Sequence, residues 1–151
     1  MAERGAGLRC WIVALALLAG IGSAHAEQFR TYDNYQIHYN AVRTDFLTPT
    51  VARANAITRS KNRALLNITV RRVNPDATTS PSEAQVIATV FNLAGQSQSI
   101  PMRAVKEPEA IYYLGEFRIA GEDSYRFEVS VTPADVARTY DLRFAQQLYA
   151  E

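Results

Sequence analysis

Two groups of residues in this chain have types and spacing that could do chemistry. His38 is the only histidine after residue 26, and imidazole is the one side chain whose ordinary pKa lies near neutrality. A general base at His38 would need a carboxylate to orient it, from Asp33 or Asp45, and a hydroxyl nucleophile such as Thr44, Thr48 or Ser60. The chain has no G-x-S-x-G elbow and no glycine-rich oxyanion loop, the usual companions of such a set. The second group is Arg59, Lys61 and Arg63, which alternate with Ser60 and Asn62. In extended chain these three cations share one side and suit a phosphate, a carboxylate or an anionic headgroup. The same cations would also complement the C-terminus of a short helix just upstream, worth ~0.3–1 kcal/mol. The expected binding set is therefore His38, Asn40, Arg59, Ser60, Lys61, Asn62 and Arg63, with no catalytic residue assigned.

Metal and cofactor chemistry find little to build on. A structural or catalytic zinc or copper site takes three or four suitable ligands, and His38 with Met102 falls short. Glu122-Asp123 lacks the spacing of a calcium loop and reads as turn chemistry. No metal and no cofactor are expected.

The elements that must position these residues begin after an address label. Arg4 and Arg9 precede an apolar run from Trp11 to Ala19, and Ala24-His25-Ala26 has the small-x-small form of a signal-peptidase site. The run is shorter than the ~20 residues of a membrane span. Cleavage after Ala26 would remove Cys10 and His25 and leave one domain, residues 27–151, without cysteine. Disulfide-stapled scaffolds are thereby excluded, and stability must come from apolar burial. Removing Arg4, Arg9 and Glu3 leaves that domain with balanced charge, which gives no global attraction to nucleic acid or an anionic membrane. The expected location is the periplasm.

Along the domain, hydrophobic periodicity predicts strands. From Ser124 to Thr132, Tyr125, Phe127, Val129 and Val131 alternate with polar residues, the signature of a half-buried strand. Thr139 to Tyr149 reads the same way, with Gln146 the exception on the apolar face. Tyr35 to Val42, Ala64 to Val73, Glu83 to Leu93 and Ala110 to Ala120 complete the clear strands, and a shorter one is expected around Phe29 to Tyr32. Val86-Ile87-Ala88 is apolar on both faces and suggests a central strand. Ser97 to Val105 reads as an edge or bulged strand because of Pro101. Gly121-Glu122-Asp123 reads as a hairpin turn between its neighbours, and 74–82 as an exposed mobile loop. Arg71-Arg72 reads as a charge that blunts a strand edge. Thr48 followed by Pro49 predicts the start of a short helix. The fold expected is all-β and mainly antiparallel: an immunoglobulin-like sandwich of about seven strands with one short helical crossover.

His38-Tyr39-Asn40, then Phe46-Leu47-Thr48-Pro49-Thr50-Val51-Ala52-Arg53-Ala54, then Arg59-Ser60-Lys61-Asn62-Arg63-Ala64-Leu65-Leu66-Asn67-Ile68 resemble a known group. This is the bacterial exported family called domain of unknown function 4426. The shared pattern is H-[YF]-[NS], F-[LI]-x-P-x-[VI]-A and R-S-[KR]-N, best from Tyr35 to Val70. The resemblance implies a leader followed by one small β-rich periplasmic domain, and it implies no activity.

Function is accordingly expected to be non-catalytic: a periplasmic binding or interaction module that takes a protein segment or small anionic group near the 38–63 crossover. Its partner would be a periplasmic or envelope protein, not nucleic acid, and the mature form would have no membrane span. A small hydrolase or lyase using His38 and a purely structural envelope protein are the alternatives from other classes.

Overall fold

In the computed structural model, residues 28–120 and 123–148 are described. The leader expected at 1–26 and the Gly121-Glu122 part of the turn lie outside the described residues. Ten strands form: β1 (Phe29–Tyr32), β2 (Tyr35–Arg43), β3 (Arg63–Val73), β4 (Thr79–Pro81), β5 (Ala84–Phe91), β6 (Ser97–Ile100), β7 (Arg103–Lys106), β8 (Ile111–Arg118), β9 (Asp123–Pro133) and β10 (Tyr140–Leu148). One sheet runs β1-β2-β3-β8-β7, with β4 pairing the end of β3; the other runs β10-β9-β5-β6. Every pairing is antiparallel. In immunoglobulin lettering, β2-β3-β8-β7 is A-B-E-D and β10-β9-β5-β6 is G-F-C-C′. The expected sandwich is therefore present, with the expected short strand β1 flanking the lettered set and β4 added to it.

The period-two residues of each strand build the core. Ile37, Leu66, Ile68 and Val70 from the first sheet meet Phe127, Val129, Val131 and Leu142 from the second. Where antibody domains place a disulfide and a tryptophan, aromatic rings meet. Phe127 stacks on Phe144 at 4.7 Å between centroids, and Phe117 meets Phe127 edge-on at 5.5 Å, arrangements worth ~0.5–1.5 kcal/mol each beyond their burial.

Several local expectations are corrected. Gly121-Glu122-Asp123 does not close a hairpin, because β8 and β9 belong to different sheets. Instead the chain turns a corner: Tyr125, near the start of β9, accepts a bond from the Ala120 amide at 3.1 Å, the arrangement of a tyrosine corner. Ser97 to Val105 is not one strand. Pro101 cannot donate to a ladder, and there the chain leaves the second sheet as β6 and joins the first as β7. Residues 74–82 include β4 and are tied down. Asn74 donates to Thr78 Oγ1 at 3.0 Å, Asp76 accepts from the Thr78 amide at 3.0 Å, and Arg71 reaches Thr79. Arg71 and Arg72 sit on β3, inside the sheet between β2 and β4, and guard no edge. β5 is interior to its sheet as expected, yet Ile87 is 59% exposed because nothing among the described residues covers that face.

The expected short helix is α1 (Pro49–Ala54), capped by Thr48 Oγ1, which accepts from the Val51 amide at 3.2 Å. It is preceded by a 3-10 turn, Thr44–Phe46. The crossover lies on the outer face of the first sheet, where Ala52 and Ile57 bury against Leu65 and Leu114 in a second small core. That covers one end of the face, and among the described residues no helix or loop packs over the other end.

Candidate functional site

The bare end is where polar side chains gather. Because Ile37, Leu66, Ile68 and Tyr113 point into the core, their alternates must point outward. On β2 these are His38 and Asn40, on β3 Asn67, Thr69 and Arg71, and on β8 Tyr112. Register then sets them in rows: His38 lies opposite Thr69, which lies opposite Tyr112, and Asn40 lies opposite Asn67. Together these six line a cleft of about 500 Å³. Its described lining contains no carboxylate side chain.

Each group is held in place. The His38 ring packs against Phe29 of β1, 5.0 Å between centroids. Arg71 spends three donors on orientation: Nε to Thr79 Oγ1 at 2.8 Å, one terminal nitrogen to Thr79 O at 3.0 Å and the other to Glu109 O at 3.1 Å. A guanidinium has five N–H groups, so each terminal nitrogen retains one. Asn67 Oδ1 is shielded from solvent and meets no hydrogen-bond donor among the described residues. Such a group costs ~1–3 kcal/mol unless something satisfies it. At the cleft margin Gln146, the exception on the apolar face of β10, bridges the two sheets. Its Oε1 accepts from the Ala41 amide at 3.1 Å and its Nε2 donates to Ala41 O, closing a stretch of β2 edge that β1 does not pair.

The residues expected to form one binding set are divided by the fold. His38 and Asn40 line the cleft, whereas Arg59, Ser60, Lys61, Asn62 and Arg63 lie at the crossover end. Arg63 and Thr69 are six residues apart on β3, ~20 Å at strand rise. At that end Arg59 donates to Asp45 O at 2.9 Å, Ser60 N donates to Thr44 Oγ1 at 2.9 Å, and the Asn62 amide donates to Ser60 Oγ at 3.1 Å. Arg63 lies 3.8 Å from Glu116, and Lys61 is exposed. The hydrolase alternative loses its parts in the same way. Asp33 accepts from Tyr140 and Arg138, Asp45 pairs with Arg43, Thr44 and Ser60 bind each other, and Thr48 caps α1.

Asn67, Thr69, Arg71 and Tyr112 were not among the expected site residues. Their signal is the polar alternation Asn67-x-Thr69-x-Arg71 within an otherwise apolar strand; only the β2–β3 register shows that it faces His38. Also unexpected is Arg43, 2% exposed, which pairs with Asp45 and lies 4.7 Å over the Phe46 ring. The bond from Arg43 holds the Asp45 carboxyl below the usual carboxylate range.

Among the described residues no three or more His, Cys, Asp or Glu side chains cluster so as to hold a metal ion, and no helix is long and apolar enough to cross a membrane. No curated protein matches the chain. A crystal structure of a DUF4426 family protein from Pseudomonas aeruginosa PAO1 is similar at TM-score 0.70 and 26% identity, covering 83% of this chain and 96% of that one. FetP of uropathogenic Escherichia coli strain F11 shares the fold alone. A copper-bound variant of it aligns at TM-score 0.57 and 11% identity, covering 81% of this chain and 94% of that one. The as-isolated protein aligns at 0.58 and 10%, covering 82% and 93%. The family model described as Domain of unknown function (DUF4426) matches residues 29–151, nearly the whole described sandwich and its cleft, and the chain belongs to that family.

Proposed function

We propose that this domain is a non-catalytic binding module that works in the periplasm and holds a small anionic ligand in the cleft of His38, Asn40, Asn67, Thr69, Arg71 and Tyr112. One observation carries the reading: a fixed arginine with two N–H groups to spare stands in a polar cleft whose described lining has no carboxylate to neutralise it. Asn and Tyr side chains beside that cation supply orienting bonds to a carboxylate or phosphate. The leader motif supports export, and FetP, which shares the fold, was expressed in the periplasm of E. coli.

Titration of 15N-labelled protein with citrate, and separately with inorganic phosphate, tests the site. Saturable shifts are expected at the amides of His38, Asn67, Thr69 and Tyr112. Losing a charge-assisted bond costs ~1.5–3 kcal/mol, so Arg71→Gln should weaken binding by about tenfold or more. Asn40→Asp, on an exposed side chain, should weaken it through repulsion without disturbing the fold. Failure to saturate at millimolar concentration, or shifts centred on Arg59–Arg63 instead, would reject the cleft.

A further inference from the structure

The crossover end of the first sheet has a different chemistry from the cleft, and from it we infer that this end docks on an anionic phospholipid surface. Arg53 on α1, Arg59 and Lys61 after it, Arg63 on β3, Arg103 on β7 and Arg118 on β8 all belong to this end. The ties between them are short. Arg103 bonds the carbonyl of Asn55 at the end of α1, Arg59 bonds Asp45 O, and Arg63 lies directly opposite Arg118. Of these six, only Arg63 has a carboxylate within 4 Å among the described residues, Glu116 at 3.8 Å. Asp45, which also feels the charge of Lys61, is bound by the buried Arg43, and Asp123 lines a cavity with Arg118 without coming within 4 Å of it.

Like charges directly opposite across an antiparallel pair are destabilising, and at the Arg63–Arg118 pair Glu116, 3.8 Å from Arg63, offsets only one of the two cations. A counter-charge from outside would offset the other. The cations are spread over α1, β3, β7 and β8, too widely for one small anion to meet them together. A continuous negative plane meets them all.

Apolar side chains complete the surface. Phe46 is 54% exposed and Val51 46% exposed, on the 3-10 turn and α1 that stand out from the sheet. Arg43, held by Asp45, lies against the Phe46 ring and fixes its direction. Exposed aromatic and aliphatic side chains among cations are the composition of an interfacial membrane contact, in which the apolar groups enter the headgroup layer while the cations stay at phosphate level.

Vesicle flotation of the protein secreted by an expressing cell tests this. At low salt the protein should float with vesicles of phosphatidylcholine containing one-third phosphatidylglycerol, and not with pure phosphatidylcholine. Each cation near an anionic surface contributes roughly fivefold in partition. The combined variant Arg53→Gln, Lys61→Gln, Arg118→Gln should therefore lose about a hundredfold. None of these three side chains makes an ion pair or hydrogen bond among the described residues, and neutralising Arg118 removes a like charge opposite Arg63, so the thermal midpoint should not fall. Val51→Ser should lower partition several-fold by a separate route. Equal flotation with both vesicle types would overturn the inference, as would binding unchanged in the triple variant. Retention on polyglutamate resin without flotation would overturn it in favour of an acidic polypeptide.

Discussion

At the level of single residues, this protein repeatedly pairs a buried or half-buried polar side chain with one carboxylate. Tyr35 donates to Asp135 at 2.6 Å, Tyr140 donates to Asp33 at 2.7 Å, and Arg43 donates to Asp45 at 2.9 Å. These bonds hold Asp33, Asp45 and Asp135 below their ordinary pKa. Burial first, and then the bond to Asp135, pushes the Tyr35 phenol up to about 12. A carboxyl with a depressed native pKa stabilises the fold above its unfolded value and loses that contribution as pH falls through the native one. For the phenol the sign is reversed: its contribution is whole below pH ~10 and is lost as pH rises through about 12. Denaturant unfolding as a function of pH should show a plateau between pH ~4 and ~10 from these groups, with a fall on either side. In Tyr35→Phe the alkaline fall should shrink; an unchanged alkaline limb would remove Tyr35 as its source.

At the level of elements, caps and turns obey local rules while strand partnership does not. Thr48 and Pro49 marked the start of α1 correctly because an N-cap is satisfied within four residues. Its end is less legible. The Ile57 amide bonds Ala52 O at 2.8 Å and the Ala56 amide bonds Arg53 O at 3.2 Å, which is a Schellman motif. The residue that must be left-handed is Ala56, at φ 53°, where glycine is usual. A left-handed non-glycine residue costs ~1–2 kcal/mol, so Ala56→Gly should stabilise the fold by about 1 kcal/mol and raise the melting temperature by a few degrees. A lower melting temperature would show that the freedom glycine adds to the unfolded chain outweighs the strain. Turn composition at 121–123 announced a change of direction and nothing about which sheet the next strand would join. At that corner Tyr125 accepts from the Ala120 amide and Ile119 is 5% exposed, contacts made across residues that turn composition does not encode.

For the whole molecule, the central demand is that two sheets close without a disulfide, and the chain's passage between them depends on one missing side chain. Gly115 is on the inner face of β8. A Cβ there would lie 2.4 Å from Met102 Sδ, 2.5 Å from Ile100 Cγ2 and 3.1 Å from Pro101 O. β6 and β7 can therefore change sheets only because β8 has no side chain where they cross it. Overpacking at such a site costs ~1–3 kcal/mol, and Gly115→Ala should lower the unfolding free energy by that order. Neutral behaviour in thermal or denaturant unfolding would mean that the Met102 and Ile100 ends swing clear freely.

What the residues by themselves determined was the longer strands and their inner faces, the short capped helix and the sandwich class, but neither β4 nor the division of Ser97 to Val105 into β6 and β7. Those follow from period-two alternation and near-neighbour bonds, which act over a few residues. What only the tertiary structure decided was which outward residues become neighbours. His38 was legible as chemistry, but Asn67, Thr69, Arg71 and Tyr112 join it through the β2–β3–β8 register, and that register is set by packing of the opposite face. The same packing separates His38 from Arg59–Arg63, close in sequence yet at opposite ends of one sheet, because the crossover returns the chain to the far end of β3 and the strand must run its length before it reaches the cleft.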